Sequence, residues 1–380
     1  MTFLERTWAE ISLDNLEYNF KNIRKKTNKS AKIMAVVKAD AYGHGAVQVA
    51  KCLKDAGADC FGVALCDEGI YLRKNGIEDE ILVLGVVPEE KIDELIEYKL
   101  VPTITTTEFA EKLNEKVKEK IKVHIKLDTG MGRIGFPCTD DTVEKIINIS
   151  KLDNIEIEGI FTHFATADEE NTEKTMAQFE KFMSIIEKLE QMGIHIPVKH
   201  CANSAAIMRF EQMHLDMVRP GIILYGYYPS MYLKDKEIAL KPVMTLKTKV
   251  SDVKTLECDE EISYGGTYTA KKGNKIATLG IGYADGLSRG LSNKLIVTVN
   301  NEKFKQIGRI CMDQCMIEVS NANNINTGDE AVIFGEYNSA DKLAEICDTI
   351  SYEILCMVNK RVPRVFIKDG KVVKNISFLN

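Results

Sequence analysis

A chain of 380 residues has room for a barrel of roughly 250 residues plus an appendage, or for two domains of similar size. With 45% hydrophobic and 28% charged residues it has the make-up of an ordinary globule, which excludes fibrous and disordered classes. Fifty Lys and Arg against fifty-six Asp and Glu give a net charge of -6 with no long block of either sign, which argues against a nucleic-acid surface.

The ten cysteines include no CxxC pair, and no secretory signal opens the chain, so reduced thiols in a cytoplasmic protein are expected, with neither a disulfide framework nor a metal site. The longest apolar stretch, "GIILYGYYPSMYL", is too short for a membrane helix and contains a proline, so no membrane partner is expected. The basic run "KNIRKK" reads as the solvated face of a helix.

In chain order, "RTWAEI" within the first dozen residues is a strand candidate. Short β-branched runs then recur at 32–38, 60–65, 80–85, 101–106, 122–128, 155–163, 197–202 and 217–226. Amphipathic segments such as 89–99 and 173–193 separate them, with apolar residues at helical spacing. Eight strands, apolar throughout and alternating with helices, predict an α/β fold of the (β/α)8 barrel type over residues 1–235, with a doubly wound sheet as the competitor. From 236 to 380 the rhythm becomes strand and turn, which predicts a second, mostly β domain, and residues 1–10 could lend it a strand.

Reactive groups of such barrels gather at the C-terminal ends of the strands. Lys38 ends the first strand, Arg133 follows the fifth, His163 closes the sixth, Asn203 and Ser204 follow the seventh, and Arg219 lies in the eighth. Any one of these alone reads more readily as a snorkelling or hydrogen-bonded structural residue; six at one rim point to a site. A lysine at a barrel mouth suggests an imine with a carbonyl compound, since partial desolvation frees its amine. "ANSAA" and "RPGIIL" offer a hydroxyl and backbone N–H groups for a phosphate at the last two strands. An aldolase acting on a phosphorylated substrate and an enzyme carrying pyridoxal phosphate both satisfy that pattern.

The stretches "AVVKADAYGHGA", "KLDTGMGRIGF", "THFATAD", "CANSAA", "VRPGIILYG", "SYGGTY", "IGYADG", "GRICMDQCMIEV" and "RVPR" resemble, in order and over nearly the whole chain, the motifs of the alanine racemase family. The resemblance implies a barrel that carries pyridoxal 5'-phosphate and a homodimer whose two active sites each draw on both chains. It implies that Lys38 holds the cofactor, with Tyr42, Ser204, Gly221, Ile222 and Tyr352 at its phosphate and with His163 and Asn203 also in the cofactor site. Arg219 would face the pyridine nitrogen and, being unable to accept a proton, leave it unprotonated.

By the same resemblance Lys38 and Tyr283, the latter from the other subunit, are the bases on the two faces of the substrate, with His163 and Arg219 assisting the phenol. Arg133 and the Met312 backbone N–H would hold the substrate carboxylate, Asp313 stands at the site's edge, and Lys126 matches a lysine that is carbamylated in part of the family. The expected activity is interconversion of L- and D-alanine, supplying D-alanine for peptidoglycan, with serine as a second substrate. A broader or serine-directed racemase, a decarboxylase and a non-catalytic cofactor carrier are the alternatives. "GIGYADG" lacks the helix and spacing of a dinucleotide fingerprint, and "CMDQC" lacks a second thiol pair for zinc.

Overall fold

The computed structural model describes residues 6–234, 236–322, 324–335 and 338–377. The chain divides into two compact units, one formed by residues 17–41 and 46–240, the other by 1–16, 42–45 and 241–380.

The first unit is a barrel of eight parallel strands, Lys32–Val36, Cys60–Val63, Ile81–Val83, Val101–Ile104, Ile121–Asp128, Ile155–Phe161, Val198–His200 and Met217–Val218. Seven fall inside the runs expected from the sequence, and the fifth begins one residue before its run, at Ile121. The eighth strand pairs with the first, Met217 opposite Lys32. Backbone bonds from Asp216 N to Lys199 O (3.1 Å) and from Arg219 N to Ala202 O (2.9 Å) join it to the seventh. The strands are continuous apolar runs because helices cover the outer face and side chains fill the inside. Met34, Cys60, Leu82, Val101, Val198 and Met217 form a buried layer, contributed by six of the eight strands. The long helix expected near 173–193 spans Glu173–Gln191. The segment 89–99 is a 3-10 turn, Glu89–Lys91, running into a short helix, Ile92–Glu97.

The second unit is built on a nine-stranded, mostly antiparallel sheet. Its long central strand, Met244–Thr255, shifts register between Val250 and Asp252 and so serves neighbours on several sides. Thr7–Ser12 lies between that strand, antiparallel, and Arg364–Lys368, parallel. The two ends of the polypeptide are thereby tied into one sheet. Among the described residues no helix is long and apolar enough to cross a membrane.

Candidate functional site

At the C-terminal rim of the barrel the turn after the first strand carries Lys38. Residues Lys38–Gly43 form a single helical turn whose sense is reversed: Ala39, Asp40, Ala41 and Tyr42 have φ of 52°, 52°, 54° and 53°. A left-handed turn brings each Cβ too near the following carbonyl and costs about 1–2 kcal/mol per residue, so other contacts hold it. Asp40 Oδ1 accepts from Ala46 N at 2.7 Å. In the second unit, the buried Arg364 guanidinium donates from Nε to Gly43 O (2.9 Å), from Nη1 to Asn359 O and from Nη2 to Val358 O (both 2.7 Å). Gly43 is itself required, since a Cβ would stand 2.5 Å from Leu355 O.

Around the rim the fifth strand supplies Lys126, 2% exposed, whose Nζ donates to Leu127 O at 2.6 Å and Ile134 O at 3.3 Å. Burial, reinforced by Arg219, pulls its pKa down to about 8. The loop beyond it is organised by Asp128. Partial burial works against its ionised form, but backbone N–H groups of Gly132, Gly130 and Met131, each 3.0 Å from Oδ1, and nearby Lys126 keep its pKa low. That loop presents Arg133 to solvent. Gly135, at φ +114°, folds it back over Lys126, where a Cβ would meet Lys126 O at 2.7 Å.

The sixth strand ends at half-buried His163, held neutral by desolvation and then by the charges of Arg219, Arg133, Lys38 and Lys126. Lys38, Arg133, His163 and Arg219, all expected at this rim, stand at or just beyond the C-terminal ends of their strands. Arg219, 4% exposed, gives its hydrogen bonds to neutral acceptors: His200 Nδ1 at 2.9 Å, Thr162 O at 2.7 Å and Cys201 O at 3.4 Å. Asn203 caps the helix Ser204–Arg209 by accepting from Ala206 N at 3.1 Å, so its side chain shapes the turn that presents Ser204. Ser204 Oγ accepts from Gly221 N at 2.9 Å, which brings the Ser204 turn against the 3-10 turn Ile222–Tyr225.

In the second unit Tyr42 and Tyr352 face each other at 6.0 Å between ring centroids. Tyr283 opens a tight turn, Tyr283–Asp285, and is 44% exposed; Met312 is 53% exposed. Tyr283 N donates to Cys311 O and Ala284 N to Met312 O, both at 3.0 Å, so the two segments are stitched together. Gly282 permits this, because a Cβ there would lie 2.3 Å from Met312 O.

Sequence reasoning missed the ion-pair frame beneath them. Buried Asp285 accepts from Arg6 Nη2 at 2.8 Å, from Arg361 Nε at 2.7 Å and from Gly282 N at 2.9 Å, while Arg361 Nη2 reaches Asp313 Oδ1 at 2.6 Å. The "RVPR" motif contained both Arg361 and Arg364 but gave no sign of what they hold.

Family models for the alanine racemase N-terminal domain and C-terminal domain match residues 11–229 and 243–366. Alanine racemase 1 of Clostridium acetobutylicum is 49% identical over 374 residues, covering 97% of each chain. A solved alanine racemase from Clostridium difficile 630 superposes with a TM-score of 0.96 at 44% identity over the whole of both chains. The alanine racemase from Bacillus anthracis with bound L-Ala-P does so with a TM-score of 0.94 at 37% identity, again over the whole of both. Coverage of both units, at identities far above those that show fold alone, means that the chain belongs to the alanine racemase family.

Proposed function

We propose that this chain interconverts L- and D-alanine with pyridoxal phosphate as cofactor, in a homodimer whose sites are completed by a second copy. The observation that supports it most is the gathering at one barrel rim of Lys38, buried Lys126, Arg133 and buried Arg219, with Ser204 Oγ 2.9 Å from Gly221 N. Such a donor set fits a cofactor phosphate and a substrate carboxylate, and buried Arg219, bonded only to neutral acceptors, suits an unprotonated ring nitrogen.

Bound to Lys38, pyridoxal phosphate supplies an electron sink that loosens the Cα proton of an attached amino acid. Ser204 Oγ and the backbone of Gly221 and Ile222 would hold the phosphate, with the Asn203 cap keeping Ser204 in place, and Tyr42 and Tyr352 would contact it as the family resemblance implies. Arg133 and the Met312 N–H orient the substrate carboxylate, with Asp313 braced beside them by Arg361. Lys38 Nζ moves the proton on one face. Tyr283 Oη, from the second copy, moves it on the other, and its exposure leaves it accessible to such a partner. The Lys126 amine, partly neutral near pH 8, takes up carbon dioxide by forming an N–C bond and losing a proton, and the resulting anion braces Arg133. The enzyme acts in the cytoplasm and supplies D-alanine for peptidoglycan.

Purified protein given pyridoxal phosphate and pure L-alanine or L-serine should form D-alanine much faster than D-serine by chiral chromatography. Comparable D-serine would make it a broad racemase, and absence of any D-product would overturn the reading. Asp128→Ala, which removes the acceptor for three N–H groups of the Arg133 loop, should raise KM for alanine about 10-fold with a smaller change in kcat. An unchanged KM would show that Arg133 does not depend on that loop.

A further inference from the structure

His124, in the fifth barrel strand, is 1% exposed, and its ring fits against the sixth strand only because residue 159 is glycine; a Cβ there would stand 2.4 Å from the ring. The pairing of these strands is irregular at this point. Val123 lies opposite Ile157 and His124 opposite Gly159, so Glu158 is the extra residue of a bulge, a device that re-aims a side chain. Glu158, Glu80 and His124, together with Lys32, Asp59 and Cys60, line a cavity of about 90 Å³. One carboxylate oxygen of each glutamate and one ring nitrogen of His124 lie within 4.8 Å of one another.

That spacing would suit a divalent cation, yet the hydrogen bonds behind His124 exclude it as a ligand. A guanidinium only donates, so the Arg219 Nη1 contact at 2.9 Å makes His200 Nδ1 an acceptor. Desolvation, then Arg219, keeps His200 neutral, so its proton is on Nε2. Nε2 is 2.9 Å from His124 Nδ1, which must therefore accept. Neutral His124 accordingly carries its own proton on Nε2, the atom a metal would need bare. Among the described residues no acceptor lies within hydrogen-bond reach of that buried N–H, and an unanswered donor of this kind costs about 1–3 kcal/mol. An oxygen of each carboxylate lies within 4.8 Å of a His124 ring nitrogen, a span that a single bridging water covers. Lys122 Nζ, 2.5 Å from Glu158 Oε1 and 3.8 Å from Glu80 Oε2, balances part of their charge, and Lys32 faces the same cavity.

We propose that Glu80 and Glu158 are remote positioning residues for racemisation: through water in this cavity they accept the His124 Nε2–H and fix a one-way relay from Arg219 through His200 and His124. Charge at the far end polarises the chain, makes His200 Nδ1 a stronger acceptor and so makes Arg219 a weaker donor toward whatever its guanidinium faces. The inference rests on the reading that Arg219 meets the cofactor ring nitrogen.

The test uses holoenzyme labelled with 15N-histidine, as wild type, Glu158→Gln and Glu80→Gln/Glu158→Gln. The wild type should show His124 and His200 neutral and protonated on Nε2 from about pH 6 to 9. In the double variant both rings should keep that tautomer while their 15N resonances move. The cofactor absorption band should shift, and kcat should fall about 10-fold with KM for alanine within about 2-fold; the single variant should show part of each change and carries the test if the double variant does not fold. Unmoved ring resonances in a folded variant would overturn the proposal, as would an Nδ1-protonated His124. One equivalent of Zn2+ retained through dialysis by wild type and lost by Glu158→Gln would overturn it as well. Moved resonances with an unmoved absorption band would instead leave the relay standing and remove Arg219 from the cofactor.

Discussion

Tyr283→Phe should lower kcat for alanine racemisation by roughly 100- to 10,000-fold, the range spanned by loss of one general acid–base group. The substitution deletes a single oxygen from a side chain that is 44% exposed, and the turn that presents it is held by backbone bonds and by Asp285, none of which uses the phenol. Cofactor absorbance and thermal stability should therefore stay at wild-type levels. Solvent-deuterium washout gives a sharper reading: with one face still served by Lys38, exchange at Cα of one enantiomer should outlast racemisation. Full racemase activity in this variant would remove Tyr283 from the two-base mechanism.

Arg364→Met should be the most destabilising single change in the second unit. The side chain is 2% exposed and its guanidinium answers the carbonyls of Gly43, Asn359, Val358 and Val362. Methionine fills much of the same volume and satisfies none of them. With each orphaned buried carbonyl costing about 1–3 kcal/mol, a loss of at least about 3 kcal/mol is expected even after water reaches some of the four. Denaturant unfolding should show a lowered midpoint, and cofactor absorbance should weaken in the same variant because the turn after Lys38 loses its anchor at Gly43. An unchanged midpoint would mean that the left-handed turn is held elsewhere.

The barrel was legible because its strands combine two strong signals, apolar β-branched runs and regular spacing by amphipathic helices, and the rim residues were legible because they are polar where the pattern demands apolar. The reversed turn was not. Ala39, Ala41 and Tyr42 have no preference for positive φ, so local chemistry points away from the conformation they adopt, and only contacts such as the one between Arg364 and Gly43, 321 residues apart in sequence, impose it. The frame of Arg6, Asp285, Arg361 and Asp313 was hidden for the same reason, since surface-like charges become a site support only when the sheet gathers them. His124 and His200 read as ordinary strand residues until the register placed one ring against Gly159 and the other against Phe161.

The reversed turn also sets an order of events during synthesis. Four residues at about 1–2 kcal/mol each represent a debt comparable with a whole domain's stability, and a nascent chain cannot carry it unaided. Domains tend to fold as they emerge from the ribosome, beginning at the N-terminus, and every barrel strand has been made by residue 218. Gly43, however, waits for Arg364, and the strand Thr7–Ser12 waits for Arg364–Lys368 beside it. A polypeptide halted anywhere before that point would own its lysine and all eight strands yet lack the clasp on the segment that follows the lysine. Closure of the turn that follows Lys38 is thus deferred until Arg364 has been added, long after the barrel strands are complete.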